Sequence, residues 1–246
     1  MITVNYQRLN DDLTTKAGIQ RATAEAKSAA RLNGRRVLLW VSIPCTGGSS
    51  WARLNRSLGI ATQDKIDAHI KVMMVLWNNL APVANIVLDA GGRIAFEWPQ
   101  SCDYWNFPEA TSCLAKWRLK NTVFHGCMYG LVSIRPKHLG VPIKKPWRIA
   151  TNCDELREQL CRCCDRSHQH VLCEGADTRV SEEYTDSMAQ SVHRAFLAYC
   201  NKLSVAQSVV PAAVGIFQYR GISYDIAMPC IEISSGSDGD ADESDC

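Results

Sequence analysis

Two hydrophobic rhythms alternate along this chain. Thr14 to Leu32 is rich in Ala, Lys, Arg, Gln and Glu, which favour a helix, and Asn33-Gly34 supplies a stop. Val37-Leu38-Leu39-Trp40-Val41-Ser42-Ile43 is then almost continuously apolar, as in a strand buried on both faces. Asp64 to Leu80 places Ile66, Ile70, Met73, Met74, Trp77 and Leu80 at helical spacing, and the apolar pattern runs on through Val83, Ile86 and Val87 to Gly91-Gly92. A second buried strand, Arg93 to Glu97, stops at Trp98-Pro99. Pro108 to Leu119 reads as a helix. Asn121 to Val132 contains a third strand, Trp147 to Thr151 a fourth, and Glu182 to Leu203 a further helix.

Helices alternating with short buried strands predict an α/β fold: a Rossmann-like, mostly parallel sheet flanked by helices. The expected organisation is an α/β core over residues 1–152 and a Cys/His-rich segment over 153–180. A helix and a mixed extension follow over 181–230, then a disordered, acidic Gly/Ser/Asp tail over 231–246. Parallel sheets bind ligands beyond the carboxyl ends of their strands. Cys45 and Glu97 both fall there, each close to a proline.

Composition narrows the class. The chain has 246 residues, enough for one α/β domain with an appendage, and a formal net charge of +2. Six acids, Glu232, Asp238, Asp240, Asp242, Glu243 and Asp245, crowd the tail, so the body carries an excess of roughly eight positive charges, which favours a polyanionic partner. No apolar run looks long enough to span a membrane, and Met1 to Leu13 has no apolar signal region. The expected setting is therefore intracellular and soluble, nuclear or cytoplasmic. There, twelve cysteines divide among buried thiols, metal ligands and a nucleophile.

Cys45 follows a buried strand and precedes Thr46-Gly47-Gly48-Ser49-Ser50, a setting that offers solvent and backbone amides and favours a thiolate. A small buried thiol in a tight turn fits the position equally well. A phosphatase loop needs an arginine sooner than Arg53. A papain-like protease needs a paired histidine, for which His125 and His138 are the candidates.

The order of three motifs resembles a known family. Ser42-Ile43-Pro44-Cys45-Thr46-Gly47-Gly48-Ser49 is similar to the strand-Pro-Cys loop of cytosine-5 DNA methyltransferases. Ala95-Phe96-Glu97-Trp98-Pro99 resembles their strand ending in glutamate. Tyr129-Gly130-Leu131 with Lys144-Lys145-Pro146-Trp147-Arg148-Ile149 resembles their tyrosine-glycine segment and basic strand. The match covers roughly residues 35–152. It implies Cys45 as the nucleophile at C6 of a flipped-out cytosine, Glu97 at N3, and Arg148 as the positive partner. Thr46, Gly47, Ser49, Lys144 and Lys145 become substrate contacts, DNA the partner, and S-adenosylmethionine the methyl donor. The family's glycine-rich donor loop has no counterpart in residues 1–44, where Gly18 and Gly34 stand alone. The chain thus reads as the catalytic half of such a domain, a partial or degenerate copy of the kind a mobile element carries. Two rivals remain open: a non-catalytic nucleic-acid or protein interaction module, and an unrelated cysteine hydrolase.

Two further segments carry candidate chemistry. Cys164, His168, His170 and Cys173 offer two sulfurs and two imidazoles to a tetrahedral zinc, with Cys161 and Cys163 as spares, although His-x-His is tight for a finger. A loop of buried thiols and exposed histidines is the plainer alternative. Nearby Arg162 and Arg166 suit phosphate contacts. In the tail, Ile231-Glu232-Ile233-Ser234-Ser235-Gly236-Ser237-Asp238 resembles a SUMO-interacting motif, which would add an edge strand to a partner through residues 231–238.

Overall fold

Thr15 opens the first helix by accepting a hydrogen bond from the Gly18 amide at 3.0 Å, and Gly34 closes it at φ 53°, where its amide reaches Ala30. In this computed structural model, which describes residues 12–204 and the short strand 216–218, that helix is α1 (Lys16–Asn33). It is followed by β1 (Leu38–Ser42), α2 (Ser50–Asn55), α3 (Ile60–Asp89), β2 (Arg93–Pro99), α4 (Pro108–Lys116) and β3 (Lys120–His125). Then come β4 (Pro146–Thr151), α5 (Asp154–Gln159), α6 (Ala176–Val180), α7 (Asp186–Ser204) and β5 (Ile216–Gln218). The N-terminal residues and the tail, including the motif at 231–238, lie outside the described residues.

The strands form one α/β sheet in the order β3-β4-β2-β1-β5. β1 runs parallel to β2 with Trp40 opposite Ala95, and parallel to β5. β4 is antiparallel to both its neighbours, with Glu97 opposite Ile149 and Val123 opposite Arg148. The sheet is therefore mixed, where a mostly parallel one was expected. The reason lies in the connections. Helix α3 carries the chain from β1 back to the start of β2, as a parallel pair requires. The segment 126–145 contains no α-helix and re-enters the sheet at the end where β3 leaves it, with Pro146 opposite His125, so β4 runs back against β3.

Strand alternation sends side chains to two cores. Leu39, Val41, Ile94, Phe96 and Trp98 pack with Ala22, Met73, Trp77, Leu80, Val83 and Val87 of α1 and α3. Trp77 lies 5.1 Å from Phe96, and Phe96 stacks on Trp117 at 5.5 Å between ring centroids. On the other face, Leu38, Trp40, Ala95, Trp147 and Ile149 meet Leu156 and Leu160 with Met188, Val192, Ala195, Phe196 and Tyr199 of α7. That helix packs on this face of the sheet together with α5, so it belongs to the same core as β1 and β2.

α3 starts at Ile60, ahead of the expected Asp64, and runs through Pro82 to Asp89 because Leu80, Val83, Ala84 and Val87 stay buried on both sides of the proline. By length and composition it is the one described helix apolar enough to cross a membrane, contrary to expectation; its buried stripe is part of the sheet's core. The expected third strand also splits: β3 ends at His125, and Gly126–Tyr129 forms a 3-10 turn.

Candidate functional site

Beyond β1 the chain turns through Pro44 into Cys45 and a 3-10 turn, Thr46–Gly48. Both glycines are buried beneath Tyr104, and a side-chain carbon at Gly47 or Gly48 would lie 2.6 or 2.7 Å from its atoms, so close approach excludes larger residues. Ser49 caps α2 by accepting from the Ala52 amide at 3.1 Å. Of the expected substrate contacts here, Gly47 thus has a packing role and Ser49 a capping role, while Thr46 is exposed. Cys45 is half-buried against the α1/α3 core. Burial pushes its thiol up to about 11; the Lys145 ammonium opposes this, and the Glu97 carboxyl, when ionised, adds to it. At neutral pH Cys45 is therefore a thiol, the second of the two states that its position in the sequence left open.

Glu97 leaves β2 on the other face, the one lined by α7, and is only 6% exposed. Its Oε2 accepts from Ser42 Oγ at 2.7 Å and from Tyr184 Oη at 2.6 Å, and the two hydroxyls also touch each other. Trp40 Nε1 donates to Tyr184 Oη at 3.0 Å. Burial raises the Glu97 pKa, against lowering by the hydrogen bonds from Tyr184 and Ser42 and by the Lys145 charge. The Tyr184 phenol is held well above its ordinary value by burial and by Glu97. The second carboxyl oxygen, Oε1, is buried without a partner.

Lys145 links these groups. Its Nζ donates to Ser181 O at 2.6 Å and Ser181 Oγ at 2.9 Å, and lies 5.2 Å from the centre of the Trp147 ring. This commitment leaves Lys145 a cation beside Cys45 and Glu97 rather than a surface phosphate contact. Lys144 is half-buried, and Arg162 and Arg166 are exposed.

Arg148 does not join the group. It stands opposite Trp98, one residue out of step with Glu97, so alternation puts it on the opposite face of the sheet. Its guanidinium lies 4.4 Å over the Trp105 ring, its Nε is buried without a partner, and burial lowers its pKa. The expected positive partner of Cys45 and Glu97 is thus separated from Glu97 by the sheet, and Lys145 is the cation acting on both.

The histidines proposed for a cysteine protease lie elsewhere. His125 Nδ1 accepts from the Cys164 amide at 2.8 Å, and His138 lies in a 3-10 turn, Pro136–His138. The histidine that does approach the Cys45 loop is His69 of α3, whose Cβ lies 3.1 Å from where a Gly47 side chain would begin.

A second centre forms behind β3. Ligand atoms of Cys127, Cys164, His168 and His170 all lie within 4.8 Å of one another, so this group could hold a metal ion. Cys164 Sγ is 3.6 Å from His168 Nε2 and 3.5 Å from His170 Nε2. Three members were expected. Cys173 was expected as the fourth, but its Sγ sits 3.1 Å from Ser181 Oγ, and Cys127 takes that place. Cys161 bonds the Glu158 carbonyl and Cys163 the Val123 carbonyl. No disulfide joins the ten cysteines among the described residues.

Sequence reasoning missed Tyr184, Ser42 and Cys127 as site residues. Ser42 had a signal: it is the polar member of the alternate set Leu38, Trp40, Ser42 in an otherwise apolar run. Tyr184 and Cys127 had none, because their neighbours in space are remote in sequence. Comparison of the chain with protein-family models, curated proteins and solved structures gave no match.

Proposed function

We propose that this chain is a cytosine-5 methyltransferase-like domain acting on a cytosine of nucleic acid, DNA foremost, with Cys45 as nucleophile and Glu97 as the acid at N3. In this reading the sheet is a Rossmann-like variant. One observation carries it. Cys45 and Glu97 leave adjacent parallel strands at their carboxyl ends, close enough for Cys45 to feel Glu97 and for both to feel Lys145, while Glu97 keeps a buried oxygen, Oε1, unpartnered. A carboxyl whose pKa is raised by burial, with a vacant oxygen, suits the N3/N4 edge of cytosine, which offers one acceptor and one donor. The thiol first loses its proton to solvent, assisted by the Lys145 charge. Sulfur then bonds C6, the C5–C6 π pair moves into the ring, and N3 takes the Glu97 proton. C5 accepts a proton from water; loss of the original C5 hydrogen and expulsion of sulfur restore cytosine, thiol and carboxyl.

S-adenosylmethionine is the donor that the motif resemblance implies. The described residues do not form a cradle for it. Gly47 and Gly48 after β1 are filled by Tyr104, and Gly126 after β3 by Leu131, 2.7 Å from where a side chain would begin. No methyl-transfer step is therefore derived for these residues.

The C5 exchange needs no donor and so tests the reading. The full chain, incubated in deuterated buffer with single-stranded cytosine oligonucleotide, is expected to exchange C5 hydrogen about 100-fold or more above background by mass spectrometry. Cys45→Ser should abolish exchange and Lys145→Met slow it, with Arg148→Met largely preserving it. No exchange by the wild-type chain rejects the catalytic reading. The protonated resting state of Cys45 favours a second reading, a nucleic-acid interaction module, whose mark is salt-sensitive binding without exchange.

A further inference from the structure

We infer that Cys127, Cys164, His168 and His170 form a structural zinc site that clamps the basic strap 142–145 against the sheet. Two thiolates and two imidazoles are a tetrahedral zinc donor set. The geometry matches that ion closely. Zn–S of about 2.3 Å and Zn–N of about 2.0–2.1 Å, at tetrahedral angles, put sulfur and nitrogen about 3.5–3.6 Å apart. Cys164 Sγ lies 3.6 and 3.5 Å from the two Nε2 atoms. The surroundings are those of a thiolate ligand: the Arg166 amide donates to Cys164 Sγ at 3.3 Å, and the Cys164 amide is held by His125 Nδ1.

Four protein ligands leave no coordination position for substrate, so the ion's role is structural. Its two chain segments both grip the strap. The Gly126 amide, beside Cys127, donates to Lys144 O at 2.6 Å and Lys145 O at 3.1 Å. The Val171 amide, beside His170, donates to Pro142 O at 3.1 Å, and the His125 amide to Arg162 O at 3.0 Å. The site thereby fixes the backbone that carries Lys145 to Cys45, and this inference stands whether or not Cys45 reacts.

The test is metal analysis of the purified full chain. Elemental mass spectrometry should find about one zinc per chain. Exchange for cobalt(II) should give the intense visible bands of a four-coordinate thiolate site. Cys127→Ser should weaken cobalt binding by more than about 100-fold, whereas Cys173→Ser should leave stoichiometry and spectrum unchanged. Should Cys127→Ser fail to fold, X-ray absorption of the wild-type zinc decides: a shell of two sulfurs and two nitrogens is expected. Absence of metal, a cobalt spectrum that depends on Cys173 instead of Cys127, or an all-oxygen/nitrogen or four-sulfur shell overturns the inference.

Discussion

Two cysteines of this protein, Cys45 and Cys164, are both partly withdrawn from water, yet their neighbours differ in kind. Around Cys164 the neighbours converge: two imidazoles and a second thiol point at one spot, and a backbone amide faces the sulfur. Around Cys45 no set of side chains converges on the sulfur. Its pKa is set by burial and by two opposed charges, Lys145 and Glu97. A thiol surrounded by ligands is suited to holding structure together, whereas one flanked by opposed charges is suited to changing state. The distinction cannot be drawn from cysteine counts, since it depends on what three or four remote residues do.

The largest expected effect separates the two directly. Cys164→Ser should destabilise the fold by several kcal/mol, because loss of a metal ligand or of its converging contacts opens the 161–173 loop. Cys45→Ser should change stability by less than about 1 kcal/mol. Urea denaturation of the two variants side by side measures the contrast, and equal losses would erase it.

An intermediate effect tests the polar cluster beside Cys45. Tyr184→Phe removes the hydroxyl shared by Glu97, Ser42 and Trp40 and should cost about 1–3 kcal/mol, leaving Trp40 Nε1 without its acceptor. The smallest effect is a slope. The Glu97 pKa is raised on folding, so the folded chain holds this proton over a pH range in which the unfolded chain has lost it. The contribution of Glu97 is therefore fully present below its unfolded pKa, near 4.5, and declines as pH rises through the folded value. Stability of the wild type relative to Glu97→Gln should fall across that window and then level off. An opposite slope would mean that Glu97 is ionised in the fold.

Much of the architecture was legible because burial on both faces writes itself as continuous apolar sequence. Val37 to Ile43 and Arg93 to Glu97 mark β1 and β2, and the stripe Ile66, Met73, Trp77, Leu80 marks α3. Direction is not written that way. Trp147 to Thr151 would read the same in a parallel or an antiparallel strand, and so the reversal of β4 was hidden. The same symmetry hid the fate of Arg148. Its motif neighbourhood suggested the Cys45 site, but its face follows from register with Trp98, which only pairing reveals. Cys164, His168 and His170 were found because they are close in sequence. Cys127 and Tyr184 were not, because β3–β4 pairing and the docking of the 181–186 segment bring them in from afar.

The division of the metal-ligating group between residue 127 and residues 164–170 makes it a clasp around β4. Closing a loop of about 37 residues costs about 3 kcal/mol of chain entropy, a cost that the pairing of β3 with β4 shares. Sliding β4 by one position would turn Trp147 outward, swap Arg148 to the other face and shift the arriving Cys164 out of reach of Cys127. The cluster's geometry therefore depends on the β4 register in which Glu97 and Arg148 stand on opposite faces.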